Sequence, residues 1–391
     1  MFKLTEMKRA FGRLNKLVEL PRAERLTPSG IGALYGPESP SWPAGVKNIS
    51  STGIYLATEK RLQTGEVINL VLLEEEVALL EEGNAEKHPE CRVSVHARVV
   101  RQGEDGLGLS FVLPPGLDSA LWGVLVRNIA MLKVRSQIEE MFRILRTILF
   151  LCHLCYTEAG ESILLMGGQL TSERVDRLIK IAITAEDRLA SEPDFERMRT
   201  DPKLLAHILR DGSWAEDEVL LKLWTGLLVS SCSVDAADES NLVLAKLLSH
   251  LGAEPLKIFV HGCERVLASA AEVGSSASGS VHVDVEEMNR ITGRADLRRP
   301  GFVMTQLNNL GLLAKVFVVS SYVTVESYDI TPSRLGLELY QHCLGQRGKV
   351  DEELQEQAEA CLLTLFEQSR PLAAGNTSPA WERFTSIDDG V

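Results

Sequence analysis

The stretch VKNISSTGIYLAT, from Val46 to Thr58, places two serines, a threonine and a glycine between two short apolar runs. Asn48 and Ser50 are two residues apart, so on an extended segment their side chains share one face. An amide and a hydroxyl could then bind the same ligand edge, while Gly53 lets the chain turn where a Cβ would clash. The alternative is a corner in which both side chains bond only to their own backbone.

The surrounding residues carry a β pattern from Ile31 to Val112. Short apolar runs are separated by clusters of Gly, Pro, Asn and Asp, and VSVHARVV (93–100) alternates apolar with polar residues. Several short strands at this spacing predict a small antiparallel β-barrel. The acidic segment 73–90 is predicted to be a solvated hairpin loop or a short helix.

Asn48, Ser50 and Gly53 in this β context resemble the second signature of PilZ domains, the bacterial receptors for cyclic di-GMP. GLGLSFV (106–112) is similar to the closing strand of that barrel, and the resemblance covers residues 21–115. It implies a PilZ-type fold, with cyclic di-GMP as the candidate ligand. The residues that it implies for binding are Arg22, Arg25, Asn48, Ser50 and Gly53.

The first PilZ signature, Arg-x-x-x-Arg, is out of register in this chain. Arg25 matches the second arginine, but the position of the first is held by Pro21, and Arg22 lies one place late. A match with the correct spacing occurs at Arg9 and Arg13, within a segment predicted to be an amphipathic helix. Arg9 and Arg13 are therefore an alternative arginine clamp. For Arg22 and Arg25 the alternative is a solvated basic surface.

After LPPG (113–116) the pattern changes to helix. Thr171 or Ser172 is predicted to cap a helix within 170–190. The segment 214–231, WAEDEVLLKLWTGLLVSS, follows the 3.6-residue period behind an acidic first turn and predicts a packing helix with Val219 and Trp224 on its apolar face.

A linker rich in small residues near position 275 precedes a different pattern. Two predicted helices are followed by a predicted β-hairpin, which is the order of a winged helix. Thr331 is predicted to cap the next helix, with Pro332 at its first position. Residues 185–346 resemble abortive-infection alpha-type domains, in part through Trp-x-x-Leu-Leu at Trp224. That resemblance implies an output or partner-binding role and no catalytic residues.

The fold class predicted is a multidomain α and β protein, in which a PilZ-type barrel is followed by an all-α domain and a winged-helix-like module. The predicted segments are a basic N-terminal helix or arm (1–20), the barrel (21–115), a helical domain (116–274), the winged-helix-like module (275–346), and a C-terminal helix with a disordered tail (347–391).

Charge and composition restrict the partners. The formal net charge of −13 disfavours a general nucleic-acid binder, which needs Lys and Arg to neutralise phosphates. The apolar run TILFLCHLCYT (147–157) is too short to span a bilayer, and no signal peptide is evident, so we expect a cytoplasmic protein with no membrane contact. Seven cysteines favour reduced thiols. The apolar helices could also pack across a homo-oligomer.

Other candidate chemistry is weak. Cys152 and Cys155 lie in an apolar helical run and are predicted to be buried, with His153 a core or interface residue. The acidic set Asp235, Asp238 and Glu239 lacks an EF-hand pattern, which favours capping or solvation. No short enzyme motif is present, so we predict no catalytic residues, no metal and no cofactor.

These observations leave three hypotheses. The first is a signalling adaptor that senses cyclic di-GMP through the barrel and contacts a protein partner through its helical half. The second is an interaction scaffold that binds no small ligand and is related to stress or phage defence. The third is a winged-helix DNA-binding regulator, which is disfavoured because residues 300–313, the candidate recognition helix, contain no basic residue.

Overall fold

The computed structural model describes residues 25–28, 30–74, 92–113, 122, 126, 135–155, 171–234, 240–273, 280–293, 299–314, 318–320 and 325–369. The chain divides into two compact units. The first comprises Met1–Leu242 and His342–Gly348, and the second comprises Val243–Gln341 and Lys349–Val391. The five segments predicted from the sequence are a finer division and stay a prediction.

Six antiparallel strands form a closed barrel in the first unit. Their bounds are β1 Ile31–Gly36, β2 Trp42–Ile49, β3 Gly53–Ala57, β4 Val67–Glu74, β5 Val93–Gln102 and β6 Gly106–Val112. The order around the barrel is β1-β2-β3-β6-β5-β4. Closure leaves no strand edge exposed for pairing with another chain. The barrel predicted from the sequence is therefore present, while the acidic segment 75–91 lies outside the described residues.

Strand alternation fills the barrel. On β5, the inward Val93, Ala97 and Val99 are buried, whereas Ser94 and His96 between them are exposed. This is the pattern expected when one face of each strand lines the core and the other meets solvent.

Four helices complete most of the described first unit. They are α1 Arg135–Leu154, α2 Ser172–Leu189, α3 Pro202–Gly212 and α4 Glu218–Ser230. Thr171 is the residue before α2, as predicted, although its side chain makes no capping hydrogen bond. In α4, Asp217 caps the first turn by accepting from the amide of Val219 at 2.7 Å. Trp224 is buried as predicted, but Val219 is 39% exposed because it lies in that capped first turn.

The barrel core continues into the helices at one end of the barrel. β1 and β3 begin at this end and β6 ends there, since neighbouring strands are antiparallel. Gly30 lies against Ile138 of α1, and the ring of Phe111 stands edge-on to Trp122 with centroids 5.0 Å apart. Helix α1 therefore packs over the barrel end that also carries the turn between β2 and β3.

The second unit combines helices with a small sheet. Its elements are α5 Asn241–Ser249, which begins in the first unit, then α6 Ala253–Val273, β7 His282–Asp284, α7 Val285–Thr292, α8 Arg299–Asn309, β8 Val318–Ser320, β9 Val325–Asp329, α9 Arg334–Cys343 and α10 Glu352–Ser369. The sheet order is β7-β9-β8. Two helices thus precede a hairpin as predicted, and β7 is a strand that the sequence did not indicate.

The predicted start of α9 is wrong. The helix begins at Arg334, and the hydroxyl of Ser333, not Thr331, accepts the amide of Gly336 at 2.9 Å. Thr331 instead donates its hydroxyl to Asp329 at 2.5 Å, and that hydroxyl accepts the amide of Val281 at 2.7 Å. Thr331 is used to join two segments of this unit and is not available as a cap.

Within the described residues, no helix combines the length and the apolar character needed to cross a membrane. The cysteines that the structure describes are free thiols.

A half-buried carboxylate links α1 to α2. Arg146 on α1 donates from Nε to Glu186 Oε2 at 2.5 Å and also contacts Asp187. Burial raises the pKa of Glu186 to about 7, outweighing the opposing effect of Arg146. The folded chain therefore binds a proton at Glu186 more tightly than the unfolded chain does. The stabilisation of the fold by this group is complete below about pH 4.5 and is lost as the pH rises through about 7.

Glu186→Gln should flatten this pH dependence. In the unaltered chain we expect the free energy of unfolding of the first unit to fall between about pH 5 and about pH 8 by on the order of 1–3 kcal/mol from this group. The variant should lose that component when urea denaturation is followed at both pH values. Asp187→Asn, which removes a 46% exposed carboxylate beside the same arginine, is the control. Equal pH dependence in Glu186→Gln and the unaltered chain would contradict the assignment.

Candidate functional site: the turn between β2 and β3

The hydroxyl of Ser50 is used to build the turn. The Ser50 amide donates to the carbonyl of Gly53 at 2.8 Å, and the Ser50 hydroxyl donates to the same carbonyl at 3.2 Å. The amide of Thr52 donates to that hydroxyl at 3.4 Å. Ser50 is only 8% exposed. Of the two alternatives raised by the sequence, a corner bonded to its own backbone describes Ser50.

Gly53 is required by the packing of two strands. A Cβ on Gly53 would lie 2.1 Å from the carbonyl oxygen of Leu109 on β6. Beside it, the carbonyl of Thr52 accepts the amide of Phe111 at 3.1 Å and the hydroxyl of Ser110 at 3.2 Å. A side chain at this position would separate the backbones of β3 and β6.

Asn48 faces outward because β2 contains a bulge. The register shifts between Val46, which pairs with Leu56, and Asn48, which pairs with Tyr55. Val46 packs against the core, so in a regular strand the side chain of Asn48, two residues later, would also point inward. The extra residue in the bulge, Lys47, turns the Asn48 side chain to the outer face instead. Within the part of the chain that the structure describes, the half-buried Asn48 amide has no hydrogen-bond partner. It is therefore open to a ligand.

Arg25 is brought to the same corner. Leu26 and Ile49 exchange two backbone hydrogen bonds of 2.9 Å in an antiparallel bridge. Continuing that register places Arg25 beside Ser50. Leu26 packs against the core, so alternation directs the exposed Arg25 to the outer face, as it does Asn48.

The structure thus brings together four of the predicted site residues: Arg25, Asn48, Ser50 and Gly53. Arg22 and the alternative pair Arg9 and Arg13 lie outside the described residues, and so does Pro21. The placement of the first arginine stays a prediction in either form.

A polar cluster that the sequence did not indicate adjoins Asn48 on the outer face. Asp105 is contacted by Lys47 and accepts the hydroxyl of Tyr55 at 2.8 Å. The hydrogen bond from Lys47, followed by that from Tyr55, lowers the pKa of Asp105, and the bond to Asp105 raises the pKa of Tyr55. The guanidinium of Arg101 lies 5.3 Å from the centre of the Tyr55 ring.

Two buried thiols lie at the C-terminal end of α1. Burial raises the pKa of Cys152 to about 11 and that of Cys155 to about 12, so both stay protonated near neutral pH. His153 contacts the carbonyl of Phe195 at 3.1 Å, with the two rings 4.9 Å apart. The prediction of buried cysteines beside a packing histidine is confirmed.

The other candidate metal ligands give no site. Among the described side chains, no group of three or more His, Cys, Asp or Glu could hold a metal ion. Asp235, Asp238 and Glu239 lie outside the described residues.

The described N-terminal residues thus form a closed six-stranded antiparallel barrel with a polar outward corner. Residues 19–126 match the family model of the PilZ domain, a non-enzymatic ligand-binding and adaptor domain of cyclic di-GMP signalling. No curated protein matches the chain significantly. The PilZ match ends at residue 126, so the resemblance of the helical half to abortive-infection domains stays a prediction.

Gly53→Ala should destabilise the barrel in the absence of any ligand. The added methyl must displace the Leu109 carbonyl, and overpacking of this kind costs about 1–3 kcal/mol. Native-state hydrogen exchange of β3 and β6 amides measures the loss region by region. Gly45→Ala on β2 is the matched control, because nothing lies within 4 Å of its added Cβ. If both variants protect these amides equally, Gly53 is not a packing requirement.

Proposed function

We propose that the chain is a bacterial cytoplasmic signalling adaptor whose PilZ-type barrel binds cyclic di-GMP and whose helical half contacts a protein partner. The observation that carries the proposal is the Leu26–Ile49 bridge, whose register sets Arg25 opposite Ser50, two residues from Asn48 and on the same outer face. The PilZ match over residues 19–126 supports this ligand class.

The chemistry of the corner suits a cyclic dinucleotide. Such a ligand carries two phosphates and two guanines. A guanidinium can bind a phosphate through two parallel hydrogen bonds or stack on a purine, which suits Arg25. The Asn48 amide offers both a donor and an acceptor to a guanine edge. In this proposal Ser50 and Gly53 hold the corner in shape, and the outward side chains of Arg25 and Asn48 contact the ligand.

The position of the corner offers a route to the helices of the same unit. The turn and α1 meet at one end of the barrel, where Phe111 both bonds to Thr52 and packs on Trp122. A ligand shifts an equilibrium only between states that it binds differently. Binding that fixes the Arg25 segment onto Ile49 would favour one packing of α1 over another, and this is the proposed output.

The second unit supports a protein partner better than DNA. We propose that residues 275–346, which contain β7, α7, α8, β8 and β9, form a winged-helix-like module, since two helices precede a hairpin and the sheet order is β7-β9-β8. In α8, Phe302 is 73% exposed, and Arg299 at the first position is the one basic residue in its sequence. A helix with an exposed phenylalanine and so little positive charge is a poor reader of a DNA groove.

A scaffold without a small ligand is the second candidate. Two observations favour it: Pro21 occupies the position of the first signature arginine, and the Ser50 hydroxyl is already bonded within the turn. In this alternative the barrel and the helical half serve only as binding surfaces for proteins, in stress or phage defence or elsewhere.

Calorimetric titration with cyclic di-GMP tests the proposal. We expect saturable binding by the unaltered chain. Arg25→Ala and Asn48→Ala should each weaken the affinity about tenfold or more, since each removes a hydrogen bond to a charged or polar ligand group. Arg197→Ala is the matched control for charge, because Arg197 is an exposed arginine beyond the barrel.

The outcomes separate the candidates. Absence of saturable binding would overturn the sensing function and favour the scaffold. Full affinity in Arg25→Ala, with binding by the unaltered chain, would transfer the arginine role to Arg9 and Arg13 or to Arg22.

A further inference from the structure

Arg101 lies flat across the outer surface of the barrel. It pairs in register with Gly108 on β6, which in turn pairs with Tyr55 on β3 and through it with Asn48 on β2. A Cβ on Gly108 would be 2.7 Å from Cγ and 2.9 Å from Nε of Arg101. Gly108 belongs to the outer face, yet it is buried, because the arginine stem covers it.

The glycine directs the guanidinium towards the proposed ligand. With no side chain at position 108, Arg101 crosses β6 from β5 and ends over the ring of Tyr55, 5.3 Å from its centre. Tyr55 is the cross-strand partner of Asn48, and neighbouring strands lie about 4.8 Å apart. The guanidinium therefore reaches the strand next to Asn48, although its Cα lies three strands away.

The hydrogen-bonding groups of Arg101 are open. Among the described residues, Arg101 has no hydrogen bond or ion pair; its contact is the face of the Tyr55 ring. By contrast, Lys47 on β2 is paired with Asp105. Asp105 in turn holds the Tyr55 hydroxyl at 2.8 Å, which fixes the ring that Arg101 covers.

An arginine held on an aromatic ring with free donors suits a guanine. Its planar fork matches the O6 and N7 acceptors at the edge of that base, and in another orientation it can stack on the face of a purine. One arginine of the Arg-x-x-x-Arg signature is missing at its expected position, because that position is held by Pro21.

We propose that Arg101, held on Tyr55, is a guanine-binding residue of the cyclic di-GMP site and replaces the arginine that is absent at position 21. This inference rests on the proposed function. It assigns the purine to the outer surface between Asn48 and Tyr55, and the opposite edge of the ligand to Arg25.

The test is a set of titrations with cyclic di-GMP. Arg101→Ala should weaken binding about tenfold or more, which is the range of a good bidentate pair. Arg101→Lys should stay nearly as weak, because a lysine keeps the charge and loses the fork. Arg197→Ala is again the matched control: Arg197 is an exposed arginine beyond the barrel, so its loss should change the affinity less than about twofold.

A second pair of variants tests the role of the ring. Tyr55→Phe keeps the ring and loses only the hydroxyl, so the affinity should fall less than about threefold, whereas Tyr55→Leu should weaken binding nearly as much as Arg101→Ala. Equal thermal unfolding of the variants confirms that they are folded.

Three results would overturn an assignment. If the unaltered chain binds and Arg101→Ala binds as well as Arg197→Ala, Arg101 is not a ligand residue and the sensing function stands. If Arg101→Ala is weakened but Arg25→Ala is not, Arg101 stands and the Arg25 contact fails. If the unaltered chain does not bind, the sensing function and the role of Arg101 fail together.

Discussion

The close approach of the β3 and β6 backbones at Gly53 is the constraint on which the N-terminal barrel depends. The Leu109 carbonyl occupies the place of a side chain, and this contact closes the barrel at the turn. It also fixes the position of Thr52, whose carbonyl is bonded from β6. With the turn fixed, Ile49 is placed to pair with Leu26, and the Arg25 segment follows. A polar signature on the surface thus originates in a packing requirement inside the barrel.

This origin divides the signature into two parts. Ser50 and Gly53 have structural roles that are complete without a ligand, as their bonds within the turn and across to β6 demonstrate. Arg25 and Asn48 point outward with polar groups to offer, and Arg101 joins them from β5. A PilZ-type sequence can therefore retain the Ser-x-x-Gly part of the signature for the stability of its fold, whether or not it binds the nucleotide. The outward residues are the ones that bear on function.

Much of the barrel could be predicted from the sequence, because alternation and turn residues are local signals. The strand pattern around VSVHARVV and the corner at Asn48–Gly53 both follow from such signals.

Features that depend on the pairing register of the strands could not be predicted from the sequence. The bulge at Lys47, which turns Asn48 outward, is set by pairing with β3. Arg101 resembles any exposed arginine until its pairing with Gly108 is known. In the second unit, Ser333 caps the helix in place of Thr331. The Thr331 hydroxyl bonds instead to Asp329 and to the amide of Val281, and a local sequence pattern cannot reveal a contact with a residue as far along the chain as Val281.

Hydrogen exchange in the presence and absence of cyclic di-GMP tests the central claim most directly, namely that the ligand is held on the outward side of the corner. The account predicts that the ligand slows exchange of the Leu26 and Ile49 amides, which form the bridge behind Arg25, while barrel-interior amides such as that of Val95 change little. Saturating ligand that leaves Leu26 and Ile49 unchanged, or that protects a different face of the barrel instead, would contradict it.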